Sequence, residues 1–286
     1  MTRLPVMSDL GNGRAALRGL NTPAATQHTA FLDLPARTCK PRSHGLTIAI
    51  DHGTATSAFG DVVASHAGLI DFIKFGWGTC LVTKDMRVKV EILQAAGIGY
   101  CFGGTLFEKA VWQRRLDAYI AFCREFGCPA IEVSDGTIEL ARADKIAKIR
   151  QLKREGFLVL SEVGYKDAAR SLTMVAHQWI KAIGEELEAG ANYVILEARE
   201  SGRSGICHGN GELRLDVLEE IIASGIPLQR LVFEVPSKAM QEELIKRLGA
   251  DVNCANIPLD GIVPLETLRV GLRFDTFMHF EGKSHA

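Results

Sequence analysis

The stretch FLVLSEVG, from Phe157 to Gly164, is followed one helix-length later by NYVILEARE, from Asn192 to Glu200, and the two read alike. Each is a run of aliphatic and β-branched residues of strand length that finishes on a glutamate. Near-continuous apolar runs joined by helices mark parallel strands whose sheet is covered by helices on its outer side. Six further runs share the pattern: LTIAID from Leu46, DFIKFG from Asp71, IGYCFGG from Ile98, AIEVSDG from Ala130, RLVFEVP from Arg230 and DVNCANIP from Asp251. The seven steps from Leu46 to Asp251 average about 29 residues, close to the roughly 31 per strand–helix unit of a 250-residue eightfold barrel.

Helical periods fill the gaps. Ile146, Ile149 and Leu152 recur in the fourth connection, and Leu213, Val217, Leu218, Ile221 and Ile222 share one face in the sixth. The prediction is an α/β fold, a TIM-type (β/α)8 barrel. A doubly wound open sheet is the rival, but eight similar units close more naturally than they spread. No Pro/Ser-rich linker interrupts residues 45–280, so residues 31–286 are read as one catalytic barrel domain. Residues 1–30 mix Gly, Pro, Asn, Thr and Arg without a period and are read as a poorly ordered N-terminal extension.

Composition narrows the function. Lys plus Arg is 33 and Asp plus Glu is 34, a net charge of -1, which leaves no field to hold nucleic acid or an anionic membrane. The longest uncharged stretch, Ile92–Phe107, has 16 residues and four glycines, short of the roughly 20 apolar residues of a bilayer span. The chain starts without the apolar run of a secretory signal, so a cytoplasmic location is expected. Its seven cysteines, at 39, 80, 101, 123, 128, 207 and 254, are scattered and form no CxxC pair, which suits reduced thiols.

The strand ends carry the chemistry. The runs finish on Asp51 and His52, Lys74, Gly103-Gly104-Thr105, Glu132 with Ser134 and Asp135, Glu162, Glu197 with Arg199 and Glu200, Glu234, and Asn253 with Asn256. In a parallel barrel these ends meet on one rim, where active sites of this fold sit. Side-chain alternation places Leu158, Leu160 and Glu162 on one face, as it does Tyr193, Ile195 and Glu197, and Val232 and Glu234. Four or more carboxylates pointing into one mouth repel unless cations neutralise them. A divalent metal is therefore implied, with Lys74, Lys166, Arg199 and Arg203 sharing the neutralisation. Carboxylates plus water suit Mg2+, which pairs with a small anionic substrate. Lys74 inside an apolar strand needs a carboxylate or a ligand. The glycine turns can present N–H groups to oxyanions. The histidines have no metal-ligand spacing and are read as surface or supporting residues, His52 excepted because it follows Asp51 on the rim. Phe75 and Trp77 are expected to pack the barrel, and the charges from Lys145 to Arg154 to form a solvated helix face.

The strings GLTIAID, DFIKFGWGT, GGTLFE, EVSDG, VLSEVG, ANYVILEARESG, FEVPSK and PLETLRVGLRFDT, in this order, resemble the phosphosulfolactate synthase family of coenzyme M biosynthesis, in a bacterial version. The resemblance spans roughly residues 31–277. It implies Mg2+-dependent addition of sulfite to phosphoenolpyruvate, giving (R)-2-phospho-3-sulfolactate. Lys166, in SEVGYK, matches a basic position of the family and is the expected general acid, with a lowered pKa; Lys74 is the reserve, and His52 the third catalytic candidate. Arg199, Arg203 and Lys238, with Gly103, Gly104, Thr105 and Asn256, are expected to bind substrate. Glu132, Asp135, Glu162 and Glu197 are the expected metal shell. The chain departs from the family pattern at His52, where archaeal members carry lysine, at Arg203, where lysine is common, and at Val235-Pro236-Ser237. A homo-oligomer acting on small anions is expected. Two other readings are a barrel aldolase or lyase using Lys74 or Lys166 as a Schiff-base amine, and a non-catalytic heat-stress-type barrel.

Overall fold

The computed structural model describes residues 31–199 and 201–280, so the extension expected over residues 1–30 lies outside the described residues. Eight parallel strands form the wall: β1 Thr47–Asp51, β2 Phe72–Phe75, β3 Gly99–Cys101, β4 Ala130–Val133, β5 Leu158–Val163, β6 Tyr193–Leu196, β7 Leu231–Glu234 and β8 Cys254–Pro258. They alternate with helices α1 Thr56–His66, α2 Met86–Ala95, α3 Gly104–Trp112, α4 Leu116–Glu125, α5 Arg142–Arg154, α6 Ala168–Thr173, α7 Ala176–Glu188, α8 Leu215–Ala223, α9 Lys238–Leu248 and α10 Ile262–Arg269.

The backbone ladder runs β3-β2-β1-β8-β7-β6-β5-β4. β3 and β4, its two ends, touch each other, so the barrel is nearly closed. Side chains stitch this seam: the Cys128 thiol lies 3.4 Å from the Tyr100 carbonyl, and Gly104 N–H donates to Glu132 at 2.6 Å. The eightfold α/β barrel expected from the period of the runs is therefore the observed fold.

Two apolar layers follow from the alternation. Leu46, Ile48, Phe72, Cys101, Ala130, Leu158, Leu160, Tyr193, Ile195, Val232 and Ala255 fill the barrel interior. Their strand neighbours, such as Val159, Val194 and Phe233, face the helices and pack against Ile149, Leu152, Val217, Leu218 and Ile221. Burial of each such side chain stabilises the fold by about 1.5–3 kcal/mol. Among the described residues no helix is long and apolar enough to cross a membrane.

A recurrent stop phases helix to strand. Phe157 N–H donates to the Leu152 carbonyl across Gly156, which takes φ +89, and Cys128 N–H closes on Cys123 in the same way. This is the Schellman closure, which needs a left-handed residue after the helix. A Cβ at Gly156 would meet nothing within 4 Å, so the penalty of a side chain there is conformational. Gly156→Ala is expected to lower stability by about 1–2 kcal/mol, read from urea unfolding. An unchanged midpoint would mean that the closure adds nothing.

Candidate active site

Above the apolar interior the alternation continues into charge. Glu132, Glu162, Glu197 and Glu234 project into the mouth at the C-terminal strand ends, with Lys74 and Lys166 between them. Lys74 Nζ lies 3.0 Å from Glu234 Oε1 and 3.3 Å from Glu132 Oε2. Lys166 Nζ lies 2.5 Å from Glu162 Oε1, 2.9 Å from Glu197 Oε2 and 3.0 Å from the Ser134 hydroxyl. Its stem crosses Gly136, where any Cβ would stand 2.9 Å from Lys166 Cγ. The ion pairs draw these side chains across the mouth and leave a cavity of about 40 Å3, space for a few waters.

The backbone fixes the carboxylates further. Ala198 and Arg199 N–H donate to Glu234 Oε2 at 2.9 and 3.0 Å, and Arg199 N–H also reaches Glu197 Oε1 at 2.5 Å. Ser134 donates to Glu162 Oε1 at 2.5 Å or to Glu108 Oε1 at 3.1 Å. Trp77, Arg199 and Asn256, three of the four non-glycine residues with positive φ among the described residues, all line this cavity. Such conformations persist where the surroundings over-determine them, and they cluster at functional sites.

Crowding sets the protonation. Burial, and then Glu162 and Glu234, push the Glu197 carboxyl well above the ordinary carboxylate range. Burial also raises Glu132, against the pull of Lys74. Burial opposes ionisation of Glu162 as well, but Lys166 outweighs it and holds this group well below the usual range. Both lysines move upward: burial would lower them, yet Glu132 and Glu234 at Lys74, and Glu162 and Glu197 at Lys166, prevail. The lowered lysine pKa expected for a general acid is thus corrected, since each amine sits among carboxylates rather than in an apolar pocket.

The mouth gathers most of the expected residues. Lys74, Lys166, Glu132, Glu162, Glu197, Arg199, Gly103, Gly104, Thr105 and Asn256 all line it. Glu162, Glu197 and Glu234 place one oxygen each within 4.8 Å of one another, a spacing that can hold a metal ion. Glu234 therefore joins the set, although it shares Lys74 with Glu132. Asp135 turns away, pairs with Lys145 at 2.8 Å and lines a separate surface hollow with Glu139 and Arg170. Lys238 binds Asp275 at 2.8 Å, Arg203 is exposed, and neither lines the cavity. Asp51 faces the helices, 2.5 Å from buried Lys89. Exposed His52 stacks on Trp77 at 3.9 Å between ring centroids.

Two readings are overturned. Trp77 is 56% exposed at the cavity instead of packing the barrel, because its left-handed backbone, φ 54, swings it outward. Lys145 is not on a solvated face: 1% exposed, it reaches Glu186 at 3.0 Å and the Glu162 carbonyl at 2.5 Å. Sequence reasoning also missed Glu108, which is buried beneath Ser134 and accepts from Thr137 N–H at 2.8 Å. Its place within GGTLFE, opposite EVSDG, was the available signal.

An eight-stranded parallel barrel with paired lysines and glutamates at its C-terminal mouth is the architecture of a barrel enzyme acting on small molecules. A chain of the BexX/CysO complex from Amycolatopsis orientalis shares the fold, with a TM-score of 0.51 at 17% identity over 82% of this chain and 91% of that one. The sequence model of the (2R)-phospho-3-sulfolactate synthase (ComA) family matches residues 35–275. The phosphosulfolactate synthase of Bacillus subtilis is 47% identical over 246 residues, 86% of this chain and 97% of that relative. The phosphosulfolactate synthase of Methanothermobacter thermautotrophicus is 38% identical, covering 85% and 95% of the two chains. The chain belongs to the phosphosulfolactate synthase family.

Proposed function

We propose that the chain adds sulfite to phosphoenolpyruvate to form (R)-2-phospho-3-sulfolactate at the mouth described above, with Mg2+ at Glu162, Glu197 and Glu234. The observation that carries this reading is the Lys166 ammonium set among Glu162, Glu197 and Ser134 at the cavity of a family member. The donor set fits a hard divalent ion: three carboxylates lie close together, and buried Glu197 Oε2 accepts no hydrogen bond despite its proximity to Lys166. Such an ion would supply charge stabilisation to the substrate carboxylate.

The chain's own residues divide the rest. Sulfite sulfur forms a bond to the CH2 carbon, and the double-bond electrons pass toward C2 and the carboxylate as an aci-anion. Lys166 then delivers a proton to C2, completing the C–H bond with the phosphate ester intact. Arg199, at the cavity edge, offers a planar fork for phosphate or sulfonate oxygens, and Asn256 and the Gly103-Gly104 turn complete the oxyanion contacts. Lysines held as ammonium are poor amine nucleophiles, which counts against the Schiff-base reading. We place the reaction in the cytoplasm, in a homo-oligomer; exposed Phe274, Phe277 and Met278 support the association.

Protein incubated with phosphoenolpyruvate, sulfite and Mg2+ is expected to yield phosphosulfolactate by mass spectrometry, and borohydride is expected to trap no substrate adduct. A trapped adduct on Lys74 or Lys166 without product would replace this reading by the aldolase one.

A further inference from the structure

We infer that Lys166 is the resident counter-ion of the acidic triad, and that a divalent cation must displace it, so that metal binding releases the lysine toward the substrate. The inference rests on the metal reading above and deepens it.

Lys166 is hemmed in by three oxygens, from Glu162, Glu197 and Ser134, at 2.5, 2.9 and 3.0 Å. Of the three donors of an ammonium, two are hydrogen-bonded, to Glu162 Oε1 and the Ser134 hydroxyl, and Glu197 Oε2 stands beside the amine as an ion pair, so Lys166 is held among these groups. Two of those oxygens belong to the residues whose carboxylates converge within 4.8 Å. With Lys166 Nζ at 2.5 Å from Glu162 Oε1 and a Mg–O bond of about 2.1 Å, an ion on that same oxygen would stand no more than about 4.6 Å from the ammonium. Like charges that close, in a buried site, repel strongly. Glu234 is differently placed: its Oε1 faces Lys74, and its Oε2 accepts two backbone N–H groups. It can remain in position while Lys166 moves.

Lys166 is suited to leave. Its side chain is 23% exposed, against 6% for Lys74, and its stem crosses Gly136, where no side chain bars its path. Ser134 can turn its hydroxyl to Glu108 Oε1, 3.1 Å away, when Lys166 departs. The lysine thus neutralises the triad at rest and becomes available as an acid once the metal has taken over its carboxylates.

The test uses the full chain and Mn2+ as the probe, with binding followed by loss of the free-ion paramagnetic signal. Lys166→Met, which removes the competing charge, is expected to bind Mn2+ at least about tenfold more tightly than wild type, and Glu162→Gln at least about tenfold more weakly. In wild-type protein, acetylation of Lys166 by acetic anhydride is expected to rise several-fold with saturating Mn2+. Equal or weaker binding by Lys166→Met, alongside the loss in Glu162→Gln, overturns the displacement and leaves the metal site standing. Wild-type affinity in Glu162→Gln overturns the metal reading and the displacement with it. If Lys166→Met does not fold, the labelling decides, and an unchanged Lys166 reactivity overturns the displacement.

Discussion

Lys166→Met is expected to slow phosphosulfolactate formation at least about a hundredfold, the scale on which loss of a general acid or base acts. The loss should fall on kcat, because among the described residues the other lysine of the cavity, Lys74, lies deeper, between Glu132 and Glu234. Glu162→Gln should lose about as much, since Glu162 both grips Lys166 and contributes an oxygen to the triad. Initial rates at saturating substrate with purified, folded variants provide the measurement. A rate within about threefold of wild type in either variant would remove that residue from the role assigned to it.

Lys74→Met is expected to lower stability by about 3–5 kcal/mol, the range for taking one partner from a buried ion pair. Lys74 is the cation shared by buried Glu132 and Glu234, and methionine leaves both carboxylates without it. The sign with pH follows from linkage. Burial already raises Glu132 against the pull of Lys74, and removing Lys74 raises it further above its unfolded value, so the folded state binds this proton more tightly than the unfolded chain. Stability is then retained in acid and lost as pH rises through the raised folded pKa. Urea unfolding should therefore show a smaller deficit at pH 5 than at pH 8, and adding Glu132→Gln should recover part of it. A deficit that does not change with pH would mean the loss is one of packing.

The barrel was legible because its strand runs repeat at a near-constant interval and their alternation has a period of two. The same alternation placed Glu162, Glu197 and Glu234 correctly, since each lies inside or just beyond a regular strand. Residues beyond the strands escaped it. Asp135 follows β4 by two positions, and the turn carries it outward to Lys145. Lys238 meets Asp275, a partner 37 positions away that no local pattern reveals. Lys145 read as solvent-facing because helical periodicity describes the direction of a side chain, not what its far end reaches; here that end is Glu186 and the Glu162 carbonyl. Trp77 depended on a left-handed backbone that composition does not signal.

The β3–β4 seam gives the wall one adjustable side. Around the rest of the ring the circumference is set by amide-to-carbonyl pairing, which survives nearly any replacement of side chains. Between these two strands it depends on a thiol and a carboxylate, Cys128 and Glu132, and Glu132 also borders the cavity at the mouth. Replacing either side chain would change the spacing of these two strands while leaving the remaining seven ladders of the wall in place.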